Sequence, residues 1–246
     1  MALREEIEDA GNWLFRWRSY LPTVVLIIFL LAMLDYEYPS ANAQYNFMWE
    51  IFCLAVSFFG LAIRVLTIGH TPEGTSGRNT TEQIAESLNT TGIYAVVRNP
   101  LYLGNFFMGL GLALFPYLWW LALIYTLIFW LYYERIILAE EAFLREKFGQ
   151  PYLDWADKTP VFIPKLGQYN KASLPFSIKN VLKREYNGFL AIVLVMFLLE
   201  TIGELVIHGK VTYEPWWLCL LGVTVAIWFT LRMLKKYTRL FVVEGR

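Results

Sequence analysis

Cysteine and histidine are both scarce in this sequence, whose 246 residues include two of each. Cys53 and Cys219 both lie within apolar runs, so the pair does not indicate a disulfide framework. Zinc sites are built from Cys and His at short spacings, and the sequence contains no such cluster. We therefore expect neither a disulfide-stabilised domain nor a metal centre.

Charged residues are also few. Asp, Glu, Lys and Arg make up 17% of the chain, against about 25% in a typical soluble protein. Apolar residues make up 57%, and the mean hydropathy is +0.43. These values are typical of an integral membrane protein. The 21 basic residues are balanced by 21 acidic ones, and in such a protein the distribution of charge is more informative than its sum. We expect no nucleic-acid partner.

Six apolar stretches approach the roughly 20 residues that a helix needs to cross a bilayer. They are residues 20–34, 47–68, 101–114, 117–138, 189–207 and 215–234, of which the first and third are short. The third stretch ends at Phe115, Pro116 and Tyr117, a connection that fits only an antiparallel helical hairpin. Pro116 suits it because proline ends one helix and can begin the next. We predict an all-α protein, a polytopic transmembrane helical bundle of about six spans.

The basic residues give an independent test of this topology. If the N-terminus lies in the cytoplasm and six spans follow, 20 of the 21 Lys and Arg residues lie on the cytoplasmic side. Only Lys210 then lies outside, which is the asymmetry that the positive-inside rule describes. An odd number of spans would break the pattern. Both termini are therefore predicted to be cytoplasmic.

The chain divides into three parts. Residues 1–46 contain an interfacial helix rich in Trp and Arg, followed by the first span. Residues 47–164 contain spans two to four and their polar flanks, with the fourth helix continuing to Phe148 and ended by Gly149. Residues 165–246 contain a basic linker with a short amphipathic helix and two additional C-terminal spans.

Polar residues at one end of the central hairpin form a two-part motif. Its first part runs through Asn89, Gly92 and Tyr94 to Arg-Asn-Pro-Leu-Tyr-Leu-Gly at residues 98–104. Its second part is Glu-Glu-x-x-Leu-x-x-x-Phe-Gly at residues 140–149. Both parts are cytoplasmic in the predicted topology, so we expect one site at the membrane surface.

This motif resembles that of the integral-membrane methyltransferases of the isoprenylcysteine carboxyl methyltransferase and phospholipid methyltransferase family. The resemblance covers residues 63–164, under half of the chain. It departs from the family signature at Asn99, where the family has histidine. Asparagine forms hydrogen bonds but does not titrate near neutral pH. If the family histidine acts as a base, this chain lacks that base; if it only positions cofactor, Asn99 can replace it.

The resemblance implies an enzyme that binds S-adenosylmethionine from the cytoplasm and methylates a lipid or prenylated acceptor that enters from the bilayer. It implies that Arg98 orients an acidic group and that Arg145 faces an anionic acceptor. The implied catalytic residues are Arg98, Glu141 and Arg145, and the implied cofactor-binding residues are Asn89, Gly92, Tyr94, Asn99, Pro100, Tyr102, Gly104, Glu140 and Glu141. The missing histidine favours an oxyanion acceptor, a carboxylate or lipid phosphate, over an amine that must first lose a proton.

Two other functions are compatible with the sequence. Membrane sterol and steroid-type reductases resemble the family over the same hairpin but use NADPH, whose phosphates need more basic groups than Arg78 and Arg98 provide. A non-enzymatic membrane protein that retains the fold is the second alternative. The spacing of Glu141 and Arg145 also allows a simple ion pair along one helix. For location, the cytoplasmic membrane of a bacterium is the simplest interpretation.

Some charged residues fall within predicted spans, where they are costly and often functional. Glu200, Glu204 and His208 lie on one face of the fifth span. They either bind a cation or, more simply, are partly solvated at the outer interface. Glu50 and Arg64 lie in one span roughly 21 Å apart, too far to pair with each other.

Overall fold

The computed structural model describes residues 3–18, 20–72, 74, 85–243 and 245; Arg78 lies outside them. This part of the chain contains eight α-helices and no β-strand, which confirms the predicted all-α class. The helices are α1 (Leu3–Trp17), α2 (Leu21–Ala32), α3 (Ala43–Gly69), α4 (Pro100–Leu114), α5 (Trp119–Phe148), α6 (Gln150–Ala156), α7 (Ile178–His208) and α8 (Pro215–Tyr237).

Four of the described helices, α3, α5, α7 and α8, are long and apolar enough to cross a membrane. The helices α2 and α4 are apolar but shorter, in agreement with their short apolar stretches. Each predicted stretch is therefore helical, and the chain is an integral membrane protein. A count of six complete spans and the cytoplasmic position of both termini stay predictions.

The helices α4 and α5 form the predicted hairpin. Pro100 occupies the first turn of α4, where its fixed φ and missing N–H suit a helix start. Pro116 lies in the connecting turn and does not begin α5, because Tyr117 follows with a φ of 59°. The helix α5 ends at Phe148, capped by Gly149 with a φ of 57°, as predicted.

Glycine allows α3 and α4 to pack at close range. A Cβ at Gly60 would lie against the carbonyl oxygen of Gly104 and 2.5 Å from the backbone nitrogen of Met108. A Cβ at Gly104 would lie 2.5 Å from Cγ of Arg64. Because these contacts are shorter than van der Waals distances, any side chain at either glycine would separate the helices. The start of α4, which Arg98 closely precedes, is thereby fixed against α3.

The helix α1 packs on the C-terminal half of α5. Gly11 lies against the carbonyl oxygen of Arg135, and the Tyr132 hydroxyl donates a 3.1 Å hydrogen bond to the Leu14 carbonyl. Trp13 and Trp17 are exposed on the opposite side, as an interfacial anchor requires. The N-terminal helix is thus part of the bundle, and its role as an interfacial anchor stays a prediction.

The two charged residues of α3 connect it to the C-terminal helices. Arg64 forms an ion pair of 2.7 Å with Glu185 on α7, and Trp217 Nε1 on α8 donates a 3.0 Å hydrogen bond to Glu50. The short amphipathic helix predicted in the basic linker is not a separate helix, which corrects the sequence prediction. Residues 178–186 are instead the first part of α7, whose N-terminus is capped by the side chain of Ser177.

The hydrogen bond from Trp217 to Glu50 provides a test of how α8 is held. We expect Trp217→Phe to lower the free energy of unfolding by about 1 to 3 kcal/mol, because it leaves a buried carboxyl group without its donor. Thermal unfolding in detergent would measure this change. Trp216→Phe is the matched control, because Trp216 donates to the exposed Glu214. Equal effects of the two substitutions would contradict the prediction.

The acidic residues near the end of α7 do not share one environment. Glu204 accepts hydrogen bonds from the hydroxyls of Tyr38 and Thr212, and the His208 ring lies 3.4 Å from the Tyr38 hydroxyl. The His208 side chain is 45% exposed, as an interfacial residue would be, whereas Glu200 is buried. In the described ranges, no group of three or more His, Cys, Asp or Glu residues is arranged to hold a metal ion.

Candidate functional site

The hairpin brings the two parts of the motif to one end of the bundle. Arg98 and Asn99 immediately precede α4, and Glu140 and Glu141 lie in the last turns of α5. Because α4 and α5 are antiparallel, the start of one lies beside the end of the other. Successive residues of a helix point about 100° apart, so the two glutamates face different neighbours.

Glu141 pairs with Arg98. Arg98 Nη1 donates to Glu141 Oε1 at 2.7 Å, and the two side chains are 17% and 21% exposed. The backbone N–H of Arg98 donates to the carbonyl of Pro160 at 2.9 Å. Arg145, one helical turn beyond Glu141, is exposed. The ion pair of Arg98 and Glu141 therefore joins the two parts of the motif. Glu141 pairs with Arg98 and not with Arg145, as the sequence alternative had it.

Two buried polar atoms of this region, Arg98 Nε and the hydroxyl of Tyr152, form no hydrogen bond of normal geometry with the described residues. The Tyr152 hydroxyl does lie close enough to Glu141 and Arg98 to interact with both. Burial, and then the charge of the nearby Glu141, raise the pKa of Tyr152 to about 12. Its hydroxyl is therefore protonated at neutral pH and can donate. Buried donors without acceptors are costly and rare in folded proteins. An anionic group bound beside Arg98 would satisfy both.

Glu140 forms a second polar contact. The Tyr102 hydroxyl donates to Glu140 Oε1 at 2.7 Å, and Arg18 Nη1 lies 3.9 Å from the same oxygen. The Tyr102 ring packs on Tyr133 with centroids 4.5 Å apart. Arg18 follows α1, far from the motif in sequence. Sequence reasoning missed it as a site residue because its position depends on the packing of α1 against α5.

The loop that precedes α4 is held by hydrogen bonds from later segments. The N–H of Gly92, which has a φ of 64°, donates to Asn170, and a Cβ at Gly92 would lie 3.0 Å from that of Ala172. The Tyr94 carbonyl accepts a 3.1 Å hydrogen bond from Trp155 Nε1. These contacts fix the course of the loop beside the motif.

The Tyr94 side chain lies within electrostatic reach of charged groups from three helices. Burial raises its pKa to about 12; the charges of Arg184 and Arg64 oppose this shift, and that of Glu140 adds to it. The hydroxyl therefore stays protonated at neutral pH. Tyr94 thus lies near Glu140 as well as near α3 and α7.

The remaining predicted residues serve nearby packing. The Asn99 side chain donates to the Val161 carbonyl at 3.2 Å, Pro100 is buried in the first turn of α4, and Gly104 is buried against α3. Asn89 is half-buried. The structure therefore brings together Arg98, Glu141 and Tyr152 at one position, and Tyr102, Glu140 and Arg18 at another. The role of each in binding stays a prediction.

Comparison with known proteins shows the family of this chain. The family model for phospholipid methyltransferase matches residues 49–151. The nickel-cobalt-cadmium resistance protein NccN of Alcaligenes xylosoxydans xylosoxydans is 30% identical over 164 residues, which cover 66% of this chain and 71% of that protein. The protein-S-isoprenylcysteine O-methyltransferase of Schizosaccharomyces pombe is 38% identical over 77 residues, 31% of this chain and 33% of that protein. This chain belongs to the isoprenylcysteine and phospholipid methyltransferase family.

A second relative is named, like NccN, for metal resistance. The cobalt-zinc-cadmium resistance protein CzcN of Cupriavidus metallidurans is 33% identical over 87 residues, 35% of this chain and 40% of that protein. No solved structure matches the chain. The reductase alternative is not favoured by these matches. Arg98, Glu140 and Glu141 lie inside the segment that the family model matches, whereas Arg18 and Tyr152 lie outside it.

Proposed function

We propose that this protein transfers a methyl group from S-adenosylmethionine to a lipophilic acceptor at the cytoplasmic surface of a membrane. Family membership supports methyl transfer. The observation that carries the cofactor proposal is the pair of buried donors without an acceptor, Arg98 Nε and the Tyr152 hydroxyl. The cofactor has a carboxylate, which is the kind of group that two such donors bind.

The residues of the site suit the other parts of the cofactor. Glu141 holds one nitrogen of Arg98 and so directs the guanidinium. Glu140, supported by the Tyr102 hydroxyl, offers a carboxylate to the cofactor's ammonium group. The other residues proposed to line the cofactor are Asn89, Gly92, Tyr94, Asn99, Pro100 and Gly104.

S-adenosylmethionine, when bound, supplies an activated methyl group. Transfer of this group to an oxyanion forms an O–CH3 bond and leaves the electron pair of the broken S–CH3 bond on sulfur. No proton is released. The chain therefore needs no base at the acceptor, which agrees with Asn99 in place of histidine. Its residues orient the two reactants and exclude water. We propose a carboxylate or lipid phosphate as the acceptor group.

The charged surface near the site suits such an acceptor. Arg145 is exposed at the end of α5, where it would attract the charged part of an anionic lipid before that lipid enters the site. A relative is named for O-methylation of protein isoprenylcysteine, and the same kind of prenylated acceptor is compatible here. With two bacterial relatives among the matches, we propose a bacterial cytoplasmic membrane as the location.

Binding of S-adenosylmethionine to the detergent-purified full chain tests this proposal. Calorimetry is expected to give a dissociation constant in the micromolar range, roughly −8 to −5 kcal/mol, and no comparable affinity for NADPH. Methyl transfer can then be assayed with prenylated, phosphate-bearing and amine-bearing lipids. Absence of cofactor binding by folded protein would refute the proposal, and binding of NADPH alone would favour a reductase.

Tyr152→Phe tests the observation that carries the proposal. We expect it to weaken S-adenosylmethionine binding about tenfold, because a hydrogen bond to a charged group contributes about 1.5 to 3 kcal/mol. Calorimetry on both proteins would measure the difference. Tyr169→Phe is the control, since Tyr169 is 61% exposed. Unchanged affinity in Tyr152→Phe would mean that the cofactor carboxylate does not bind there.

A further inference from the structure

A line of polar side chains crosses the bundle, and the proposed cofactor site does not use it. Glu185 on α7, 5% exposed, accepts hydrogen bonds of 2.7 Å from Nε and Nη2 of Arg64 on α3. Arg64 Nη1 donates to Asn105 Oδ1 on α4 at 2.6 Å, and Asn105 Nδ2 donates to the Tyr133 hydroxyl on α5 at 3.1 Å. We call these four residues the Glu185–Tyr133 relay.

The chemistry of the relay fixes the direction of each hydrogen bond. Arginine has only donors, so the amide oxygen of Asn105 must face Arg64 and its NH2 group must face Tyr133. The Tyr133 oxygen is therefore an acceptor in this contact, and its own proton is left to donate elsewhere. No described residue accepts that proton. The relay thus ends in a directed hydroxyl donor that lacks an acceptor.

A purely structural tie between helices would not need this arrangement. A buried ion pair contributes little net stability, and an apolar pair of similar volume is often as good. The pair of Arg64 and Glu185 alone would also join α3 to α7. Asn105 and Tyr133 extend the contact to α5, where they add polar groups that must be desolvated. The extension to Asn105 and Tyr133 therefore indicates that the Tyr133 hydroxyl has a functional role.

Tyr133 lies next to the proposed cofactor residues, but farther along α5 toward the apolar part of the helix. Its ring packs on Tyr102, whose hydroxyl contacts Glu140. It precedes Glu140 by seven residues, roughly 10 Å along the helix axis. A lipophilic acceptor that enters from the bilayer would approach the cofactor from this side.

We propose that Tyr133 donates a hydrogen bond to an oxyanion of the methyl acceptor, and that Glu185, Arg64 and Asn105 are positioning residues that direct this bond. The proposal rests on the proposed methyltransferase function. One oxygen of a carboxylate or phosphate accepts from Tyr133, and another oxygen of the same group is left to receive the methyl group. An ammonium group itself offers no acceptor to the hydroxyl, so the relay favours acceptors whose reacting group is an oxyanion.

The test measures the affinity of two acceptor probes for the full chain saturated with S-adenosylhomocysteine. The probes are N-acetyl-S-farnesylcysteine, which carries a carboxylate, and dioleoyl phosphatidic acid, which carries a phosphate; the tighter probe identifies the source of the oxyanion. We expect Tyr133→Phe to weaken binding of that probe about tenfold to a hundredfold and to leave S-adenosylmethionine affinity within about twofold. Tyr125→Phe is the matched control, because Tyr125 lies on the same helix and donates to the Phe106 carbonyl.

The positioning role has its own readout. Glu185→Gln is expected to weaken the same probe, and the double variant Glu185→Gln with Tyr133→Phe is expected to be no weaker than Tyr133→Phe alone, because both changes remove one interaction. If the losses of probe affinity in the two single variants add up in the double variant, Glu185 acts independently of Tyr133 and has only a structural role. Tyr133→Phe is decisive for the donor, since it keeps the buried ion pair intact.

Three results would overturn the inference. One is unchanged probe affinity in Tyr133→Phe, or a loss equal to that in Tyr125→Phe. Another is a loss of cofactor affinity without a loss of probe affinity. The third is a wild-type protein that binds S-adenosylmethionine but neither probe, which would leave the proposed methyltransferase function intact. A wild-type protein that does not bind S-adenosylmethionine would instead refute that function.

Discussion

Replacing Arg98 with alanine is expected to weaken S-adenosylmethionine binding by about a hundredfold or more. A charge-assisted hydrogen bond to a carboxylate contributes roughly 1.5 to 3 kcal/mol, and the Arg98 guanidinium is also the partner of Glu141. The substitution removes a donor to the cofactor and leaves the Glu141 carboxylate without its partner, close to where the cofactor carboxylate is proposed to bind. Calorimetry on the detergent-purified variant would measure the loss.

Two further variants separate charge from geometry at this position. Arg98→Lys keeps the positive charge but cannot contact Glu141 and a second anion through one planar group, so we expect it to recover only part of the affinity. Arg135→Ala is the control, because Arg135 lies on α5 and its Nη1 donates to the Leu131 carbonyl of the same helix. Full affinity in Arg98→Lys would show that charge alone holds the cofactor, and full affinity in Arg98→Ala would remove Arg98 from the site.

Replacing Gly60 with alanine is expected to destabilise the bundle strongly for so small a substitution. The added Cβ would meet the carbonyl oxygen of Gly104 and the backbone nitrogen of Met108, neither of which can rotate away. Overpacking of this kind costs about 1 to 3 kcal/mol and shifts backbone. Because the same crossing fixes the start of α4, we expect a fall in both melting temperature and cofactor affinity. Thermal unfolding in detergent and calorimetry would measure the two effects.

Gly222→Ala is the matched control for this substitution. Gly222 is also helical, on α8, and no atom lies within 4 Å of the position that a Cβ would occupy. Alanine has the better intrinsic helix propensity, so we expect Gly222→Ala to be neutral or slightly stabilising. A similar loss in both variants would mean that helix propensity, and not the crossing of α3 and α4, determines the effect at Gly60.

Several features of the fold follow from local sequence and need no tertiary information. The apolar stretches predict the six apolar helices because a helix in lipid must be apolar over most of its length. Pro100 and Gly149 mark helix ends because each suits a terminal backbone conformation. The linker was harder to predict: the polar start of α7 has the composition of a surface segment, but it continues into the apolar helix without a break.

The sequence by itself determined that the chain is a helical membrane protein and that residues 98–104 and 140–149 belong to one motif, because hydrophobic runs and motif spacing are local properties. Only the tertiary structure decided which partner each charged group takes. Glu141 was as close in sequence to Arg145 as a helical pair requires, yet it contacts Arg98, because the antiparallel hairpin brings the start of α4 beside the end of α5. Arg64 likewise finds Glu185, 121 residues away. Such pairings depend on how helices cross, and the crossings depend on shape, as at Gly60 and Gly104, which no local pattern encodes.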